Sequence, residues 1–261
     1  MTTAGASASD PALYQCGAAA KNAEKHYTGA YEKGCKTLNP KHEGKYEFEE
    51  WKLGTKENKL GKKGKVKKFK TKGKHDANLE VPVAGGIHCA NTEASGEFTG
   101  PKTAKLAPVV FTGCKYSLYS CQSGAKAGEI VTNPLQGDLG YLDASKHKVG
   151  VDLKAEEGYG GVNAEFTCGS EAGEYFRFQV SGSVVGEVVS AANVFTKVAA
   201  LKFDQAASKQ KWTKLEGQME DVLITEWCSA IGKACEPNKE PVVSGEETFA
   251  EGKGEELYLK A

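Results

Sequence analysis

Arginine is nearly absent from this 261-residue chain: one Arg stands against 33 Lys. That scarcity argues against recognition of phosphate by planar, two-pronged hydrogen bonding, where Lys is a poor substitute. Charge of one sign is missing too, since 34 basic residues face 34 acidic ones. A neutral total gives no global pull toward nucleic acid or an anionic membrane surface, so no specific nucleic-acid partner is expected. No apolar run approaches the length of a membrane-spanning helix, and no membrane span is expected. Also lacking are the Gly-x-Ser-x-Gly elbow, the His-Glu-x-x-His helix, the phosphate-binding Gly-rich loop and the dinucleotide fingerprint. Zinc sites usually need Cys-x-x-Cys or closely spaced His, and neither occurs. His88 and Cys89 are the one His–Cys neighbour pair, and successive residues of a strand point to opposite faces. No metal and no cofactor is therefore expected, and without Cys-x-x-Cys a redox role is not indicated.

What the chain does have is eight cysteines: Cys16, Cys35, Cys89, Cys114, Cys121, Cys168, Cys228 and Cys235. An even set without metal spacing reads as a disulfide framework made outside the cytosol. Eight cysteines allow 105 connectivities. Local order favours Cys16–Cys35, Cys114–Cys121 and Cys228–Cys235, which leaves Cys89–Cys168 as the long-range link. The first ten residues are small and polar. Ala6-Ser7-Ala8 has the form of an export-signal cleavage site, although the basic and apolar regions that should precede it are missing. The stretch 1–10 reads as the disordered remnant of an export signal, with an ordinary disordered terminus as the alternative.

Helical periodicity is scarce. One helix is expected from about Pro11 to His26, where Ala18, Ala19, Ala20 and Ala23 favour it. Elsewhere short apolar runs alternate with Gly-rich turns; the chain carries 31 Gly. Period-two alternation appears at Tyr46–Trp51, Leu79–Val83, Val149–Leu153 and Phe176–Val180. More strand signals lie near Val109–Phe111, Val184–Val189, Val194–Phe203 and Val222–Trp227. This pattern predicts an all-β fold, a large antiparallel sandwich or barrel with a short disulfide-closed helical element at its N-terminus. The expected organisation is one β domain over 11–227, followed by a disulfide loop and acidic C-terminal segment over 228–261.

Two charge runs stand out. From Lys56 to Lys74 there are ten Lys and one Glu. Lys62, Lys63, Lys65, Lys67, Lys68, Lys70 and Lys72 form a candidate patch for an anionic polymer. The plainer reading, which is favoured, is a solvated hairpin with an edge strand guarded by Lys and packed through Val66, Phe69 and Thr71. From Glu236 to Ala261 seven Glu face three Lys. That stretch is either a flexible acidic tail or a segment lying against the Lys-rich hairpin, of the same or of a neighbouring molecule. Trp51, Trp212 and Trp227 are candidates for a ligand platform, though core packing is the commoner fate of a Trp in a strand. Five His (26, 42, 75, 88 and 147) give no constellation.

Several segments resemble a large family of exported β-rich proteins from actinobacteria. They include Leu13-Tyr14-Gln15-Cys16, Gly85 to Cys89, Gly96-Glu97-Phe98-Thr99-Gly100-Pro101, Phe111-Thr112-Gly113-Cys114, Gly128 to Gly140, Val149 to Leu153, Phe166-Thr167-Cys168-Gly169 and Ser181 to Gly186. The resemblance covers roughly residues 12–225 and is specific only in combination. It implies secretion or a cell-surface location and β architecture; the family has no assigned activity. The expectation is an exported, non-catalytic protein of the cell surface or extracellular matrix, with a structural, assembly or polymer-binding role. Its partners would be an extracellular polymer or further copies of itself. The alternative is a secreted polysaccharide hydrolase using a carboxylate pair drawn from Glu97, Glu129, Asp138 and Asp152.

Overall fold

The structure is a computed structural model. It describes residues 11–50, 68–73, 76–81, 85–169, 175–189, 195–196, 198–206, 209–228, 235–239, 242–251 and 257–260. It is nearly all β, with 62% of residues in strands. The strands that the alternation marked form where expected. Phe176, Phe178 and Val180, for example, all face one core from the strand Tyr175–Ser181.

Eight antiparallel strands pair in a closed ring: Lys68–Gly73, Asn91–Phe98, Thr103–Leu106, Leu135–Asp143, Lys148–Ala155, Ser183–Val188, Val198–Phe203 and Val242–Glu251. Closure leaves no open edge. Alternation then fills the inside of the ring with Phe69, Leu106, Leu135, Leu153, Leu201 and Phe203.

A second, curled sheet is a half-barrel. Its order is Cys235–Lys239, Ile224–Cys228, Tyr175–Ser181, Val162–Gly169, Tyr119–Gln122, Lys115–Tyr116, Gly85–Cys89 and Ala77–Val81. Its core holds Ile87, Ile130, Phe166, Phe178 and Val180.

The chain repeatedly bends out of one sheet and straight into the other. Tyr175–Ser181 belongs to the half-barrel and Ser183–Val188 to the ring, with Gly182 between them at φ +85°. Gly85–Cys89 passes into Asn91–Phe98 in the same way. In Val242–Glu251 the first three residues pair with the half-barrel and the rest with the ring. Such corners, made by strands that change sheets, join sheets at a steep angle. They also merge the two cores, since Phe111 and Val184 pack against both.

A separate six-stranded sheet gathers both ends of the chain. Ala12–Ala18 lies between Tyr46–Glu50 and Leu257–Lys260. The helix expected from Pro11 to His26 does not form. Alanine propensity is a preference of well under 1 kcal/mol per residue. Two ladders of main-chain bonds outweigh it, and Cys16 is tied to Cys35. The N-terminal element is disulfide-closed, but it is a strand followed by turns. At its centre Gly29 and Gly44 exchange two main-chain bonds of 2.9 and 2.7 Å. A Cβ on Gly44 would fall 2.2 Å from the Tyr31 carbonyl oxygen, so the crossing requires Gly there. This sheet packs on the ring through Leu13 and Leu259 against Tyr141 and Val149.

The segment 228–261 supplies strands to all three bodies. Val242–Glu251 pairs along Lys68–Gly73, with Thr248 opposite Lys72 and Ala250 opposite Lys70. Of the two courses left open for this stretch, contact with the Lys-rich segment of the same molecule is the one taken. The guarded edge expected at Phe69 and Thr71 is corrected by the same pairing: Lys68–Gly73 has a neighbour on each side.

The disulfides correct the expected pairings. Cys89 is bonded to Cys114 and Cys121 to Cys168, not Cys114 to Cys121 or Cys89 to Cys168. The ladders explain why. Lys115 is opposite both His88 and Ser120, and Cys121 is opposite Cys168. One step along, Cys89, Cys114, Cys121 and Cys168 form a single row across four neighbouring strands, all facing the core. Cys89 and Cys168 are three strand spacings apart, about 14 Å, far beyond the reach of a disulfide. The middle neighbours share a main-chain bond, Cys121 N to Cys114 O at 3.0 Å, which is the wider type of antiparallel pair. Both bonded pairs have Cα atoms 4.0 Å apart, the narrower type. Cys228 is disulfide-bonded, and Cys235 is its partner in the ladder.

Candidate functional site

The merged cores do not fill the space between them. A cavity of about 180 Å³ lies where they meet. The half-barrel contributes Ile87, Phe166 and Val180, and the ring contributes Leu153, Leu201 and Phe203. Among the described residues no charged side chain lines it. The corners create this space: each strand that changes sheets leaves the region beside its bend uncovered by either layer. Gly245, at the bend of Val242–Glu251, is part of the wall.

Among the described residues the polar side chains in the wall are Thr71, Asn78, Thr92, Thr132 and Asn163. Thr132 is fully engaged, since its hydroxyl accepts from Val109 N at 2.9 Å and donates to Asn133 O at 2.7 Å. The Asn78 side chain is hydrogen-bonded to His88. Thr92 and Asn163 differ. Thr92 is 1% exposed and Asn163 8%. Asn163 Nδ2 donates to Gly182 O at 2.8 Å, while Asn163 Oδ1 and Thr92 Oγ1 are buried without a hydrogen-bond partner. Asn163 sits at a break in register between Val162 and Ala164, which turns its side chain out of the normal alternation. The sequence carried a faint signal for both residues: polar side chains on faces otherwise occupied by apolar ones.

The residues singled out from the sequence are scattered. His88 is exposed, on the face opposite Cys89. Trp212 is half-buried against Leu142, Val185 and Leu215. Its Nε1 donates to Glu187 at 3.0 Å, and Lys148 and Lys211 lie over its ring. Trp227 packs on the half-barrel core, with its Nε1 buried and unpartnered. Trp51, Lys62, Lys63, Lys65 and Lys67 lie outside the described residues. Lys68, Lys70 and Lys72 point outward from the ring. Lys68 and Lys70 share a shallow groove with Lys105, Glu97 and Glu156. Lys105 is ion-paired with Glu156 there, and this holds its ammonium above the ordinary Lys range.

Two of the four candidate carboxylates do meet. Asp138 and Asp152 are directly opposite on the outer face of the ring. Asp138 is ion-paired with Lys154 at 3.4 Å. Asp152 is 6% exposed, beneath the segment 212–223. Burial pushes its carboxyl upward, the Ser183 side chain and the Lys154 charge oppose this, and Asp221 and Asp138 reinforce it. Ser183 gives its one proton to the Asp221 carbonyl at 2.7 Å. Asp152 is covered, whereas the Asp138 side chain is about one-third exposed. Glu129 is bound to Lys126 at 2.5 Å, and Glu97 stands opposite Lys68 and Lys105.

Because the fold raises the Asp152 pKa, folding retains a proton that the unfolded chain gives up. Stability from this group is present below the ordinary Asp range and is lost as pH rises through the raised value. Asp152→Asn is expected to raise Tm by a few degrees at pH 7 and to leave it unchanged near pH 3. Calorimetry at the two pH values checks this; an equal effect at both would remove the buried charge as its cause.

Among the described residues no group of three His, Cys, Asp or Glu side chains is placed to hold a metal ion. None of their helices is long and apolar enough to cross a membrane, which says nothing of a β-barrel. No protein-family model matches the chain, and no curated protein or solved structure matches it.

Proposed function

We propose that this chain is an exported, non-catalytic binding protein that holds a small apolar molecule between its ring and its half-barrel. The observation that carries the reading is the cavity at the junction of the two cores. Protein interiors hold few voids larger than a water molecule. A space of this size, left unfilled, costs about 4 kcal/mol on the scale measured for core cavities. Its apolar wall and lack of charge suit a hydrocarbon body; an engineered cavity of similar size takes up benzene. Export is supported by the disulfides, which persist in oxidising compartments, and by the resemblance to exported actinobacterial proteins. The non-catalytic part is supported by the carboxylates, which are either ion-paired or covered.

Toluene tests the reading. Calorimetric titration is expected to give saturable one-to-one binding, with a rise in Tm that follows ligand concentration. Ala164→Leu, which adds bulk to the cavity wall, is expected to abolish uptake without lowering Tm. Absence of saturable binding would sink the proposal. Salt-suppressed binding of an anionic polysaccharide through Lys68, Lys70 and Lys105, without toluene uptake, would place the function on the outer face instead.

A further inference from the structure

We infer that the cavity selects a neutral molecule bearing a hydroxyl group, of about the size of phenol, over a bare hydrocarbon of the same shape. This rests on the apolar-ligand reading and adds the ligand's polar end. Among the described residues the cavity wall carries two fully buried polar atoms without a partner, Thr92 Oγ1 and Asn163 Oδ1. Each belongs to a residue more than nine-tenths buried. Buried polar atoms are nearly always paired, and one left unpaired is costly. The two offer complementary chemistry. Asn163 has already committed its Nδ2 to Gly182 O, so its Oδ1 can only accept. Thr92 can donate or accept through a hydroxyl with no protein partner.

A ligand O–H satisfies either atom, and its oxygen can in turn accept from Thr92. An ionised carboxylate or ammonium does not fit, because among the described residues no opposite charge lines the space and burying a lone charge is prohibitive. A pure hydrocarbon fits the walls but leaves both atoms unpaired. The ligand class is therefore a small phenol or a compact alicyclic alcohol. The open atoms also rank the ligand's parts: the apolar body supplies affinity, and the hydroxyl supplies orientation.

Phenol and toluene separate the two ideas, since they differ only in hydroxyl against methyl. Both are titrated calorimetrically into the wild-type chain, into Thr92→Val and into Asn163→Leu, with Tm recorded for each protein. Thr92→Val keeps the side chain's shape and removes only the open hydroxyl. An apolar pocket without partners favours toluene, because phenol would lose the water bound to its hydroxyl. The expected result is the reverse: phenol binds the wild type about fivefold tighter than toluene, and at least one variant inverts that order while binding toluene as before. Toluene binding tighter than phenol in the wild type overturns the hydroxyl preference and leaves the apolar reading standing. Preference for phenol unchanged in both variants overturns the assignment to Thr92 and Asn163. Binding of neither compound overturns the hydroxyl preference and the apolar reading together.

Discussion

Replacing Cys121 and Cys168 together by alanine is expected to lower the unfolding free energy by about 4 kcal/mol, the chain-entropy value for the loop they close. That loop spans 47 residues, against 25 for Cys89–Cys114 and 19 for Cys16–Cys35. The same relation gives about 3.5 kcal/mol for the second pair and about 3 kcal/mol for the third. Urea unfolding of the three double variants checks the order. Cys114, Cys121 and Cys168 are fully buried, so a dithiol reductant should reach them only after the half-barrel opens. Cys16–Cys35 lies outside both cores and should be reduced first. Peptide mapping without reduction is the direct control: a peptide joining Cys89 to Cys168 would contradict the four-strand row.

Identical spacing of Cys114–Cys121 and Cys228–Cys235 in the sequence hides two different situations. In the second, the two residues are neighbours across the ladder, and the residue on the other side of Cys228 is Arg177, not a cysteine. In the first they are also neighbours, but each has a second cysteine on its other side, contributed by strands 25 and 47 residues away. Spacing reports only the local hairpin, so the choice between the two sides could not be read from it. Much of the fold was legible by the same local logic. Phe69 and Thr71 face inward and Lys68, Lys70 and Lys72 outward, as alternation requires. What alternation does not carry is which strands meet. Closure of the ring, the switching of strands between sheets, and the place of the two termini in one sheet depend on partners distant in sequence. Asp152 shows the limit well. Alternation puts it opposite the inward Leu153, on a face that ought to meet water, and the segment 212–223 then covers that face. The candidate cavity was invisible for the same reason: its wall is drawn from both sheets, and polar residues such as Thr92 and Asn163 mark it only locally.

Gly182→Ala is expected to destabilise the chain by about 3 kcal/mol or more, and to do so by disturbing the junction rather than either sheet. Gly182 sits at φ +85°, a conformation in which a side chain costs about 1–3 kcal/mol. A Cβ there would also lie 2.2 Å from Val222 O, with the other near atoms belonging to the backbone of Val222 and Leu223. Backbone cannot rotate aside as a flexible side chain can, so the corner itself must move. Gly160→Ala is the matched control. Its φ is +60°, and nothing lies within 4 Å of the added Cβ, so it should cost about 1 kcal/mol, from strain alone. The two variants differ further in what they do to the cavity. Gly182 O holds Asn163 through the 2.8 Å bond, so a shifted corner releases the Asn163 amide and turns Oδ1 away. Gly182→Ala should therefore weaken phenol binding more than toluene binding, at a temperature where the variant is still folded. Gly160→Ala should leave both unchanged. Equal unfolding free energies for the two variants would mean that the corner tolerates a side chain. The strand switch at Gly182 would then not be what fixes the geometry of the junction.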